Sequence, residues 1–79
     1  MSKLEKLIQK IFAHQQVSYS DAEKILLGLG YEVKIRGSHH VFRKDGYRHV
    51  TIKNRPQLLL YQLKDLEEAL KDHGYKKTI

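Results

Sequence analysis

Apolar residues recur at Leu4, Leu7, Ile8, Ile11 and Phe12, the i, i+3, i+4, i+7, i+8 spacing of one helix face, with Lys3, Glu5, Lys6, Gln9 and Lys10 off it. The spacing predicts a first amphipathic helix over Ser2–His14. Its polar face is mixed in sign, which marks a stripe that packs on a second helix rather than one that lies on a membrane. Gln15 to Ser18 reads as a short connection. Ser20 followed by Glu23 has the spacing of a capping box, and Ala22, Ile25, Leu26 and Leu29 form the stripe of a second helix over Asp21–Leu29. Gly30 is the expected left-handed residue after it, because the helical period stops there.

From Tyr31 the period becomes two. Tyr31, Val33 and Ile35 alternate with Glu32, Lys34 and Arg36, as in a strand with one face on a core. Gly37-Ser38 interrupts the pattern. A second strand over His39–Arg43 is then joined by Lys44-Asp45-Gly46 to a third over Tyr47–Lys53, since Asp-Gly between alternating segments signals a hairpin. Pro56 is expected to end that strand or turn the chain. Leu58, Leu59, Leu63, Leu66, Ala69 and Leu70 predict a closing helix over Gln62–Asp72 with Gly74 as its stop, while Gln57 to Tyr61 fit either its first turn or an extended lead-in. Residues 75–79 read as a frayed tail. The order α-α-β-β-β-α predicts an α+β domain of two layers, with helices on one face of a three-stranded antiparallel sheet and the other face open.

Seventy-nine residues allow one domain, with no room for a second. The absence of cysteine excludes a disulfide framework and a thiolate metal site, and favours a reducing, cytoplasmic setting. The longest apolar runs fall well short of the roughly 20 residues that span a bilayer, so no membrane partner is expected. Charge changes the picture more. The stretch Lys34–Arg55 holds seven cations, Lys34, Arg36, Arg43, Lys44, Arg48, Lys53 and Arg55, against the single acid Asp45, and its net +6 equals that of the whole chain. The positive field therefore has one source, the hairpin, which suggests a polyanion and first of all RNA as partner.

The same hairpin carries His39 and His40, which as neighbours on a strand face opposite ways. A three-residue loop at Lys44-Asp45-Gly46 sets Phe42 opposite Arg48 and buries Phe42, Val50 and Ile52, leaving His39, Val41, Arg43, Tyr47, His49 and Thr51 outside. A two-residue Asp45-Gly46 turn instead buries Val41, Val50 and Ile52 and turns His40 and Phe42 outward. The first arrangement gains the burial of Phe42, about 1.5–3 kcal/mol; the second would offer Phe42 to an unpaired base. A histidine titrating near neutrality can take the proton of a ribose 2′-OH or protonate a leaving 5′-oxygen, with Arg36, Arg43, Lys44 and Arg48 to hold the phosphate. The plain alternative makes both histidines hydrogen-bonding strand residues of an RNA-binding or acidic-protein-binding module. No metal is expected, since adjacent strand histidines diverge and only Asp45 offers a carboxylate. His14 and His73, near helix ends, read as surface or capping residues.

At Gly37-Ser38-His39-His40-Val41-Phe42 the chain resembles the HicA family of small bacterial toxins. The similarity runs from about Asp21 to Gly74 and includes the Leu-Gly-Tyr exit from the second helix, the Val-Thr-Ile third strand and the closing helix ending in glycine. It implies a double-stranded-RNA-binding-domain-like core over 18–74, with residues 1–17 as a helical extension and 75–79 as tail. It also implies an mRNA-cleaving toxin without a required metal or other cofactor, and a HicB-like antitoxin that masks the active site. The histidine of the Gly-Ser-His element maps to His39, with His40 the second choice. Lys34, Arg36, Ser38, Arg43, Lys44, Arg48, His49, Lys53 and Arg55 are the expected RNA contacts. Lys53-Asn54-Arg55-Pro56-Gln57-Leu58 departs from the Pro, His and Gly-Lys pattern that family members often carry before the last helix.

Overall fold

The computed structural model describes residues 3–77, in the order α1 (Lys3–Phe12), α2 (Tyr19–Gly28), β1 (Glu32–Arg36), β2 (His39–Arg43), β3 (Val50–Lys53) and α3 (Leu60–Asp72). The expected start of the first helix at Ser2 and the last two residues of the tail lie outside that range. The α-α-β-β-β-α order and the open antiparallel sheet are those expected from the periodicities.

The stripe of α1 buries Ile8, Ile11 and Phe12, with Leu4 and Leu7 half-buried beside them. α2 begins two residues earlier than its expected start. Ser18, not Ser20, caps it, its Oγ accepting the Asp21 amide at 3.2 Å. Tyr19 is the reason: its ring is buried within the first turn and its hydroxyl takes up the Glu23 carboxylate at 2.9 Å, the group a Ser20–Glu23 box would have used. The exit of α2 follows expectation. Gly30, with φ +95°, occupies the left-handed position after the Leu29 cap, its amide donating to the Leu27 carbonyl while the Tyr31 amide donates to that of Leu26. α3 starts at Leu60, so Leu60 and Tyr61 form its first turn. Gln62, almost fully buried, reaches back and accepts the Leu59 amide on Oε1 at 2.9 Å.

The sheet has the order β1-β2-β3, both pairs antiparallel. Arg36 pairs with His39, so Gly37-Ser38 is a two-residue hairpin loop. Gly37 has φ +60°, the positive value that the first central residue of a type II′ turn requires and that a side chain would resist. Between β2 and β3 the register differs from both expected ones: Phe42 pairs with Val50, Val41 with Thr51, His40 with Ile52 and His39 with Lys53. The Asp-Gly turn does form, Tyr47 donating to the Lys44 carbonyl at 3.0 Å with Gly46 at φ +82°. What shortens the third strand is the pull of α3 on the residues after that turn. Tyr47 stacks on His73, ring centroids 3.9 Å apart, and Arg48 grips Asp72, so Tyr47–His49 leave the ladder and pairing resumes at Val50.

The slip of two residues keeps the facing of the first expected arrangement. Phe42, Val50 and Ile52 lie inside, in one apolar cluster with Ala22, Ile25 and Leu26 of α2, Leu66, Ala69 and Leu70 of α3, and Ile8, Ile11 and Phe12 of α1. His40 shares that inner face and is 9% exposed, whereas His39 faces out. Among the described residues, no helix is long and apolar enough to cross a membrane.

Candidate active site

The outer sheet face can be assembled row by row, because residues directly opposite on antiparallel strands share a face with Cβ atoms about 4.5–5.5 Å apart. The row at the Gly37-Ser38 turn runs Arg36, His39, Lys53 across the three strands. The next is Lys34, Val41, Thr51, and the last pairs Glu32 with Arg43. His39 is thus an exposed imidazole with a cation on each neighbouring strand, on a face holding four cations, Lys34, Arg36, Arg43 and Lys53, against one carboxylate, Glu32, which stands opposite Arg43. Ser38 is exposed in the turn beside it. Such a row can accept a proton at its centre and hold phosphate oxygens at both flanks.

Other expected contacts are placed differently. Lys44 donates from Nζ to the Leu29 carbonyl at 2.6 Å, satisfying the C-terminal end of α2, and lies 4.9 Å from the Tyr47 ring centroid. Arg48 donates from Nε to Asp72 Oδ2 at 2.6 Å and from Nη2 to Oδ1 at 3.3 Å, a forked pair that engages its guanidinium within the chain. His49 is exposed on the link into β3. Arg55, half-buried beyond β3, lends its carbonyl to the Tyr19 amide at 3.3 Å. The structure therefore brings Lys34, Arg36, Ser38, His39 and Lys53 together, sets Arg43 at the far end of the same face, and gives Lys44 and Arg48 partners at helix ends.

Beneath His39 lies a polar network that the apolar periodicities gave no reason to expect. The His40 ring meets the Tyr19 ring edge-on at 4.6 Å between centroids, and its Nδ1 is hydrogen-bonded to the Tyr19 hydroxyl at 2.5 Å. That hydroxyl has one proton and gives it to Glu23, so Nδ1–H of His40 is the donor in the second bond. Burial and the neighbouring Glu23 carboxylate push the Tyr19 phenol far above its ordinary range, so it stays protonated. The clue in the sequence was a tyrosine directly after the capping serine, one helical turn before a glutamate.

The far end of the sheet carries a second cluster. His73, the cap residue of α3, is half-buried, accepts or donates at 3.0 Å with the Tyr31 hydroxyl, and stacks on Tyr47. Burial and, after it, the Lys44 ammonium hold its imidazole below the ordinary histidine range. His14 is exposed at the end of α1, 3.6 Å from Glu67. Among the described residues, no three His, Cys, Asp or Glu side chains converge as a metal site would need.

A family model described as the HicA toxin of bacterial toxin-antitoxin matches residues 19–75, well over half of the chain. No curated protein and no solved structure matches. The matched span begins at Tyr19 and runs through the Gly37–Phe42 element, the sheet and α3, leaving α1 before it.

Proposed function

The chain belongs to the HicA family of bacterial toxin-antitoxin toxins, and from that membership we propose that it is an endoribonuclease that cuts mRNA on its outer sheet face. The row Arg36–His39–Lys53 carries the reading. His39 takes the proton of a ribose 2′-OH, the 2′-oxygen attacks the adjacent phosphorus, and the bond to the 5′-oxygen breaks. The products are a 2′,3′-cyclic phosphate and a 5′-hydroxyl, the latter protonated by the imidazolium or by water, so atoms and charge balance. Arg36 and Lys53 hold the non-bridging oxygens as charge builds on them, and Lys34 and Arg43 extend the track for flanking phosphates. The nucleophile belongs to the substrate, so the step makes no demand for a metal. Ser38 and His49, both exposed, touch ribose or phosphate at the edges of the track. Lys44, Arg48 and Arg55 act at second hand, by holding the hairpin in shape.

The partner in the cell is a HicB-like antitoxin whose acidic groups cover this face, and the setting is the cytoplasm. The test is incubation of purified protein with a mixed RNA. His39→Ala is expected to lower cleavage by about 10²–10⁴-fold while leaving RNA binding in place. Parental cleavage by His39→Ala would sink the mechanism, whatever His40→Ala does. Salt-dependent RNA binding with no new RNA ends, even for the parent, would favour a non-catalytic RNA-binding module instead.

A further inference from the structure

His39 is the first residue after a two-residue turn, in the last row of the sheet. Apolar packing does little to hold that end. Ile35, which pairs with His40 and shares the inner face with it, is 63% exposed, so the core thins out beneath the turn. What occupies the space is Tyr19. Its ring lies against His40 and, at 6.4 Å between centroids, against Phe42. Its hydroxyl bonds both His40 and Glu23, and its amide donates to the Arg55 carbonyl just beyond β3. One residue thereby ties the capped start of α2 to β2 at the position next to His39, and to the chain leaving the strand that carries Lys53.

We infer that Tyr19 is a positioning residue for cleavage: through its hydroxyl bond to His40 it fixes the backbone of β2 at the turn, and so the imidazole of His39 between Arg36 and Lys53. The inference rests on the cleavage reading above. Glu23 supports it by accepting the hydroxyl proton, which leaves the Tyr19 oxygen free to accept from His40. His40 contributes Nδ1–H to this link and no proton to the reaction, so the paired histidines divide their work between the two faces of one strand. The expected size follows from the sensitivity of a reacting group to displacement, about 100-fold for a shift near 1 Å.

Tyr19→Phe keeps the ring and removes the link. It is expected to lower kcat by about 10–100-fold, with KM for RNA and the RNA dissociation constant unchanged. Native-state amide exchange at Ser38 to Val41 should quicken relative to the rest of the sheet. His40→Asn, whose amide nitrogen stands where Nδ1 stood, should keep the parental rate and exchange pattern, whereas His40→Ala should resemble Tyr19→Phe. Parental kcat in Tyr19→Phe overturns the proposal, as does unaltered exchange at the turn or a uniform loss of binding, rate and melting temperature. A His40→Asn variant as slow as His40→Ala would also overturn it, by showing that Nε2 acts. If the parent cuts no RNA, the cleavage reading fails; the exchange comparison then still shows whether Tyr19 fixes the turn.

Discussion

At the scale of single residues, two histidines at helix ends show how position outweighs residue type. His14 has φ +58° at the left-handed position after α1, its amide donating to the Ile11 carbonyl while the Gln15 amide closes on that of Lys10. A side chain there costs about 1–2 kcal/mol that glycine would not. His14→Gly gives up an exposed contact to Glu67 and adds some freedom to the unfolded chain, and both costs are small beside the relieved strain. It is expected to gain about 1 kcal/mol and raise Tm by about 4–8 °C in a thermal melt; a lower Tm would mean that the Glu67 contact matters more than the backbone. His73 behaves differently, because burial and Lys44 depress its imidazole in the folded state despite the opposing pull of Asp72. The unfolded chain therefore binds its proton first. Stability should be full above about pH 6.5, fall as the pH drops through that value, and level off below the folded-state value. Denaturant titrations across that window should show the fall in the parent and a smaller one in His73→Gln. The sequence placed both residues near helix ends, but could not separate the exposed one from the buried one: the Tyr31 and Tyr47 rings that enclose His73 come from elsewhere in the chain.

At the scale of elements, the hairpin was legible as a hairpin and as a facing, but not as a register. Alternation identified the inner row of Phe42, Val50 and Ile52, and that row is buried, because a slip of two residues leaves every side chain on its own face. The slip itself arises from Tyr47 and Arg48 binding the end of α3, contacts between residues more than twenty positions apart that no local pattern announces. Register decides which cations stand together on the outer face. It makes Lys53, not Arg48, the cation beside His39, and occupies Arg48 with Asp72. Each lost phosphate contact on a single strand lowers the slope of log affinity against log salt by about 0.7. Arg36→Gln and Lys53→Gln are therefore each expected to flatten that slope in filter-binding or fluorescence titrations, while Arg48→Gln leaves it parallel to the parent and lowers Tm instead. Equal flattening by all three would mean that Arg48 abandons Asp72 for RNA, and that the hairpin rearranges on binding.

At the scale of the whole molecule, the family match and the core draw different boundaries. The match starts at Tyr19, yet Ile8, Ile11 and Phe12 of α1 are at most 2% exposed and belong to the same cluster as Leu66, Leu70 and Phe42. Gly28 of α2 lies close enough to Leu4 that a Cβ there would stand 3.2 Å from the nearest Leu4 methyl, so the two helices meet tightly. Full burial of each of the three large side chains of α1 contributes about 1.5–3 kcal/mol. A domain of this length has a total stability of about 4–12 kcal/mol. Removing α1 would cancel a sum comparable to the whole, and would also lay open the apolar surfaces of α2 and α3 that it covers. A chain shortened to residues 15–79 should accordingly lose its cooperative thermal transition and self-associate, as read by circular dichroism and size-exclusion chromatography. A sharp transition in the shortened chain, with RNA cleavage intact, would instead make α1 an appendage on a self-sufficient core. Amphipathic spacing made α1 visible from sequence, and its weight in the core was not, because the partners of its stripe lie on α2 and α3, one of them at the far end of the chain. If the first outcome holds, the toxin in this chain is a three-helix version of its fold, in which the helices carry the stability and leave the outer sheet face free for charge.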